Sequence, residues 1–145
     1  QLKSIELSGS GDVDIKDSVA LGDLSLLLSG SGDIDIEYLD CSSVKAVVSG
    51  SGDIKIDHVE CEGDAVCDLT GSGDINVDVV SDNVNVTVSG SGDADLTVDC
   101  DVINAKAIGT GNMKLVGTAK VLNKHSSGLA SIDTKKLEVE QINLK

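Results

Sequence analysis

Apolar and polar residues alternate with period two through most of this chain. Ile5 and Leu7 are followed by Val13 and Ile15, and the pattern returns as Leu26, Leu28 then Ile34, Ile36, and as Ala46, Val48 then Ile54, Ile56. It continues with Cys67, Leu69 then Ile75, Val77, with Val86, Val88 then Ala94, Leu96, and with Met113, Leu115. Period two sends successive side chains to opposite faces, so each pair predicts a strand with one buried face. Helix is excluded by that period and by the density of glycine and β-branched residues.

Between the two strands of each unit lies a small-residue corner. It reads Ser8-Gly9-Ser10-Gly11-Asp12, and recurs at Ser29 to Asp33, Ser49 to Asp53, Thr70 to Asp74 and Ser89 to Asp93, with a degenerate copy at Gly109-Thr110-Gly111-Asn112. From Asp12 the steps are 21, 20, 21, 19 and 19 residues. A hairpin would also join two strands through such a corner, but it gives no reason for equivalent residues to return every twenty positions. A solenoid does: equivalents stack in columns about 4.8 Å apart. An apolar stretch (Leu39, Val59, Val80, Val98) and a polar turn complete each unit. One coil cannot bury its inner face, whereas a stack can. The expected fold is all-β, a right-handed parallel β-helix of about six coils. It forms a single domain over 1–145, with regular coils over 4–116 and an irregular C-terminal coil and cap over 117–145.

Composition narrows the core and the partners. Of 145 residues, Tyr38 is the only aromatic, and there is no Phe, Trp or Pro, so the core must be Val, Ile, Leu and Ala. Such side chains suit stacked pleated strands. Net charge is −14 and all eleven basic residues are Lys. Without Arg there is no bidentate phosphate clamp, and an acidic field repels nucleic acid and anionic lipid. No run of eighteen apolar residues predicts a membrane span. With neither an initiating Met nor a leader-like stretch, the sequence is expected to be a processed or trimmed chain.

The columns suggest chemistry, each with a plainer use. The glycines (Gly9, Gly30, Gly50, Gly71, Gly90 and Gly109; Gly11, Gly32, Gly52, Gly73, Gly92 and Gly111) could cradle phosphate. That needs a helix N-terminus or a cation, so positive φ or close coil-to-coil approach is the favoured reading. Asp12, Asp33, Asp53, Asp74 and Asp93 could form a weak Ca²⁺ ladder or cap turn N–H groups. Asn112, the sixth member, keeps the capping oxygen and loses the charge, which favours capping. Ser10, Ser31, Ser51, Ser72, Ser91 and Thr110 could form an ice- or glycan-binding face, but the ridge is narrow, and hydrogen bonding between coils is the favoured reading. Lys16 beside Glu37, Asp35 beside Lys55, and Asp95 beside Lys114 read as register pins.

Cys41 and Cys61 are column neighbours within disulfide reach, with Cys100 two coils on and Cys67 on the opposite sheet. Small buried apolar packing is the simpler reading of all four, with a Cys41–Cys61 bridge the runner-up. No interleaved histidines suggest zinc. His58 should stack beside Tyr38 near Glu37 and Asp57, a surface patch where a sugar or a metal could sit. His125 falls in the C-terminal coil.

The tandem Ser-Gly-Ser-Gly-Asp-Ile/Val units, with the tail Lys120 to Gly128, resemble the head GIN domain, a family of bacterial envelope proteins described as auto-transporter adhesins. The resemblance covers roughly residues 4 to 132. It implies a β-helix, export beyond the inner membrane, and no established catalytic activity. Members of that family usually carry a further β-rich region before these repeats, so the resemblance implies an open first coil, which either another segment covers or through which the chain self-associates.

The sequence therefore leads to an exported, non-catalytic surface or adhesion-type module binding a glycan or a cell-surface protein, without a required cofactor beyond weak Ca²⁺. A polysaccharide-acting β-helix enzyme and a structural spacer of an envelope assembly are the alternatives. The enzyme is disfavoured by the lack of Arg, of aromatic subsites and of a catalytic constellation.

Overall fold

The computed structural model describes residues 4–144 apart from 17, 20 and 21, and of residues 5, 18, 19, 143 and 144 only the backbone. It is a parallel β-solenoid of about seven turns, without helix among the described residues. The first coil holds β1 (Ser4–Leu7), β2 (Val13–Ile15) and β3 (Ser18–Val19), and the second β4 (Asp23–Leu28), β5 (Ile34–Ile36) and β6 (Leu39–Cys41). The third holds β7 (Ser43–Val48) and β8 (Ile54–Cys61), and the fourth β9 (Asp64–Leu69) and β10 (Ile75–Val80). From there strands run through the turns: β11 (Asn83–Val88), β12 (Ala94–Gly109), β13 (Asn112–Gly128) and β14 (Ser131–Leu144).

Each coil has a face before the Gly-Ser-Gly-Asp corner and a face after it, with a short third face beyond. The pre-corner face stacks β1, β4, β7, β9, β11 and the second half of β12. The post-corner face stacks β2, β5, β8, β10 and the first half of β12. Every pairing is parallel and in the register the columns require, for example Ile34↔Ile54 and Ile75↔Ala94. Inward residues of the two faces meet in one aliphatic core, including Leu28, Val48, Leu69 and Val88 from one side and Ile34, Ile54, Ile75 and Met113 from the other.

The corner glycines are explained by close approach. The Gly9 carbonyl accepts the N–H groups of both Ser31 and Gly32, and Gly30 accepts those of Ser51 and Gly52. The same fork recurs at Gly50, Gly71 and Gly90. A Cβ built on Gly52 would fall on the Gly32 carbonyl oxygen, so any side chain there pushes the coils apart. Among the corner glycines Gly109 combines this close approach with positive φ, which Gly117 and Gly128 in the later strands also adopt.

Coil length varies, but never at the corner. Leu28 to Ile34, Val48 to Ile54, Leu69 to Ile75, Val88 to Ala94 and Ala107 to Met113 each span the same six-residue step. The variation is absorbed on both sides of the third face: in the turn that follows it, where Cys41↔Cys61 gives way to Val44↔Ala65 and Val80↔Glu60 to Asn83↔Asp64, and where the post-corner face meets it. There Val77 faces Ile56 but Val79 faces Val59, so Asp57 and His58 bulge opposite Asp78 alone.

The irregular coil expected from 117 onward is corrected by the pairing. β12 and β13 match through Gly109↔Gly128, and β13 and β14 match from Asn112↔Ser131 to Lys124↔Leu144 with one register shift. What fades after 116 is the side-chain signature, while backbone hydrogen bonding continues because parallel pairing does not depend on it.

Gly52→Ala is expected to cost about 3 kcal/mol, the upper end of core overpacking, and to lower Tm by roughly 10 °C. Gly9→Ala, where nothing lies within 4 Å of the added carbon, should leave Tm nearly unchanged. Thermal unfolding followed by circular dichroism checks both.

Candidate functional site

The aspartate column caps the next coil rather than its own turn. Asp12 Oδ1 accepts the Asp33 backbone N–H at 2.9 Å, and Asp33, Asp53 and Asp74 do the same for Asp53, Asp74 and Asp93 at 2.9–3.0 Å. Asp93 accepts from the Asn112 N–H at 3.0 Å, and Asn112 accepts the Ser131 hydroxyl at 2.9 Å. Like charges about 4.8 Å apart repel by about 1 kcal/mol in water. A hydrogen bond to a charged acceptor contributes about 1.5–3 kcal/mol, so capping outweighs repulsion. Among the described residues, no group of three or more His, Cys, Asp or Glu is arranged to hold a metal ion.

The hydroxyl ridge is corrected. Ser10, Ser31, Ser51, Ser72, Ser91 and Thr110 are exposed. In this column it is the backbone N–H of Ser31, Ser51, Ser72, Ser91 and Thr110 that bonds between coils, to the glycine carbonyls. The register pins are corrected too. Asp35 faces Lys55 and Asp95 faces Lys114 by backbone register. Yet the lysine ion pairs among the described residues are Lys55–Asp57 at 3.9 Å and Lys120–Asp101 at 3.6 Å. Exposed lysines lose little by leaving a cross-strand partner, since such pairs contribute only about 0.2–1 kcal/mol.

In-register stacking of the second and third coils brings Tyr38 and His58 together, with ring centroids 5.6 Å apart and planes inclined by 29°. The carboxylates against the imidazole are Glu60, at 3.3 Å from Nε2, and Asp78, at 4.0 Å from Nδ1. Glu37 and Asp57 were the acidic neighbours expected from sequence. The extra residue in β8 turns the ring toward Asp78, and Asp57 faces Lys55 instead.

The four cysteines are buried and free. Cys41 and Cys61 are register partners with sulfurs 3.3 Å apart. The Cys61 thiol hydrogen-bonds Cys41 and holds its pKa below the usual thiol value, while Cys61 itself is pushed up by that bond and by burial. Burial pushes Cys67 up to about 12. It does the same to Cys100, also to about 12, helped by Asp101 and Asp99. Ser81, its hydroxyl bonded to the Asn83 carbonyl at 3.0 Å, sits in the slot between Cys61 and Cys100, so the column offers a pair and not a triple.

One arrangement escaped the sequence reading. Asn85, Asn104 and Asn123 are register partners on the outer pre-corner face. Asn104 Nδ2 donates to Asn85 Oδ1 and Asn123 Nδ2 to Asn104 Oδ1, both at 2.7 Å. Beside this ladder runs a second outward column, Thr87, Lys106 and His125, and the two enclose a cavity of about 420 Å³. The signal was present as asparagine at a nineteen-residue spacing, but it lay outside the corner motif.

A family model described as "Putative auto-transporter adhesin, head GIN domain" matches residues 1–77 and again residues 65–145. This chain belongs to the head GIN domain family. The double match of the head GIN chain follows from its repetition: either half carries several copies of the unit. No curated protein and no solved structure matches it.

Three outcomes follow for the head GIN chain. Asp53→Asn keeps the capping oxygen and should change stability by under about 0.5 kcal/mol, whereas Asp53→Ala should lose about 1–2 kcal/mol, read from urea unfolding. Raised thiol pKa values favour the native state only while unfolded thiols stay protonated. Stability should therefore fall as pH rises from about 9 to about 12, and less steeply in Cys67→Ala/Cys100→Ala. Mild oxidation with copper–phenanthroline should join Cys41 to Cys61, closing 3.3 Å to the bond length of about 2.05 Å, as peptide mapping would show.

Proposed function

We propose that this head GIN chain is an exported, non-catalytic binding module of the adhesion type, acting at the cell surface or in the periplasm on a glycan or a cell-surface protein. The family is described by adhesion, and no helix among the described residues is long and apolar enough to cross a membrane. The observation that carries the reading is the outward array itself. Side chains recur at coil spacing on a backbone whose register is fixed by glycine carbonyls and aspartate caps. Such an array presents repeated contacts to an extended or repeating partner.

Catalysis asks for the opposite arrangement: an acid, a base and an oriented substrate converging on one bond. Columns spread like groups along an axis. The Asp column has its oxygens on backbone N–H groups, and the Tyr38–His58 stack puts an imidazole between two carboxylates on a convex bulge. Capping is the role proposed for the aspartate column, and Ca²⁺ binding there is the alternative that a rise of Tm with Ca²⁺ would favour.

A glycan array followed by a product assay tests the reading. Retention of a glycan, with no release of reducing ends or unsaturated sugars, is the expected result. Turnover would make the chain an enzyme, and neither retention nor turnover would leave a spacer. Millimolar Ca²⁺ should leave Tm within about 1 °C, because the capping oxygens already have donors.

A further inference from the structure

We infer that the pre-corner face of β11, β12 and β13 is the binding site of an acidic glycan, a carboxylate- or sulfate-bearing sugar chain lying along the solenoid axis between the Asn85–Asn104–Asn123 and Thr87–Lys106–His125 columns. This rests on the reading of the chain as a binding module and names the surface and the ligand class.

Charge is the first argument. The chain has twenty-five acidic residues, yet none falls in 83–89, 102–109 or 121–128, three strands stacked side by side. Seven of the eleven lysines and only four of the acidic residues lie beyond residue 100. Asp68, the register partner of Thr87, closes the end of the groove toward the acidic coils. Coils further back lie about 10 Å or more from Lys106, beyond the Debye length of about 8 Å at physiological salt, so the local lysines decide the sign. By contrast, a cavity on the post-corner face is lined by Asp53, Asp74, Asp93 and Asp95 against the single cation Lys55, a net negative lining that repels an anion.

Shape and chemistry are the second. The two columns are two residues apart on the same strands, hence about 7 Å apart on one face, and they repeat every 4.8 Å along the axis. An amide carries two N–H donors and two acceptor lone pairs. The two ladder bonds of Asn104 use one of each, which leaves a donor and an acceptor for sugar hydroxyls. The ladder also holds these amides in place before a ligand arrives, so little rotamer entropy is lost on binding. Lys106 is exposed and presents its ammonium to the acidic group.

Titration of the ¹⁵N-labelled chain with tetragalacturonate tests this, with maltotetraose and a glutamate tetrapeptide as competitors in class. Expected are shifts centred on Asn104, Lys106 and His125. Lys106→Glu and Asn104→Asp should each weaken binding at least tenfold, with Lys55→Ala on the post-corner face without effect. Asn104→Asp preserves size and one ladder acceptor, and the unfolding midpoint of each variant verifies its fold. Equal binding of maltotetraose, equal binding of the glutamate peptide at the same residues, or variants within twofold of the parent would overturn the assignment. A glycan from the array that binds but ignores both substitutions would overturn the groove and leave the binding-module reading standing. No glycan binding at all would remove both.

Discussion

The structure depends on how closely one coil's backbone can lie on the next at a single corner. The carbonyl of the first corner glycine accepts two N–H groups from the coil above, and no Cβ fits in that gap. From the second coil to the sixth the two corner glycines are therefore a steric requirement. The aspartate that follows satisfies one more backbone N–H of the neighbouring coil from the side. Together they set the six-residue step that is the same in every coil, and the rest of each coil is free to vary in length.

That freedom is where the distinguishing surface features arise. His58 stacks on Tyr38 by register, and one residue more in the third coil than in the fourth makes the bulge that points it at Asp78. Loss of the bulge removes one residue from the repeat, and a turn before Asn83 one residue shorter than that before Asp64 removes another, so the later repeat is nineteen. The asparagine ladder belongs to this later, regular part. Its amides meet at 2.7 Å because parallel strands in register place identical side chains directly over one another.

The same stacking governs the charges. Identical acidic side chains one above another would repel, and the chain answers differently in its two parts. In the first coils a column of carboxylates is held by backbone donors; in the last, the outer pre-corner positions are amides, hydroxyls and lysine. The solenoid is thus acidic at one end and carboxylate-free on one face of the other. A repeating fold need not have a repeating surface, because the core and corner specify the backbone while outward positions are unconstrained by packing.

The parallel solenoid, its columns and the buried aliphatic set were legible in the sequence, since period two and a twenty-residue return are local consequences of strand geometry and stacking. Leu28, Val48 and Leu69 had to be inside, and Cys41 had to face Cys61. Tertiary structure alone decided which atoms met. It chose close approach without positive φ for every corner glycine from Gly30 onward but Gly109, the next coil's N–H over the aspartate's own turn, and Glu60 and Asp78 over Glu37 and Asp57 as neighbours of His58. It also carried the ladder past 116, where the motif fades and backbone pairing does not. Sequence fixes which face a side chain leaves from; its partner depends on one-residue bulges and rotamers that only the assembled stack determines.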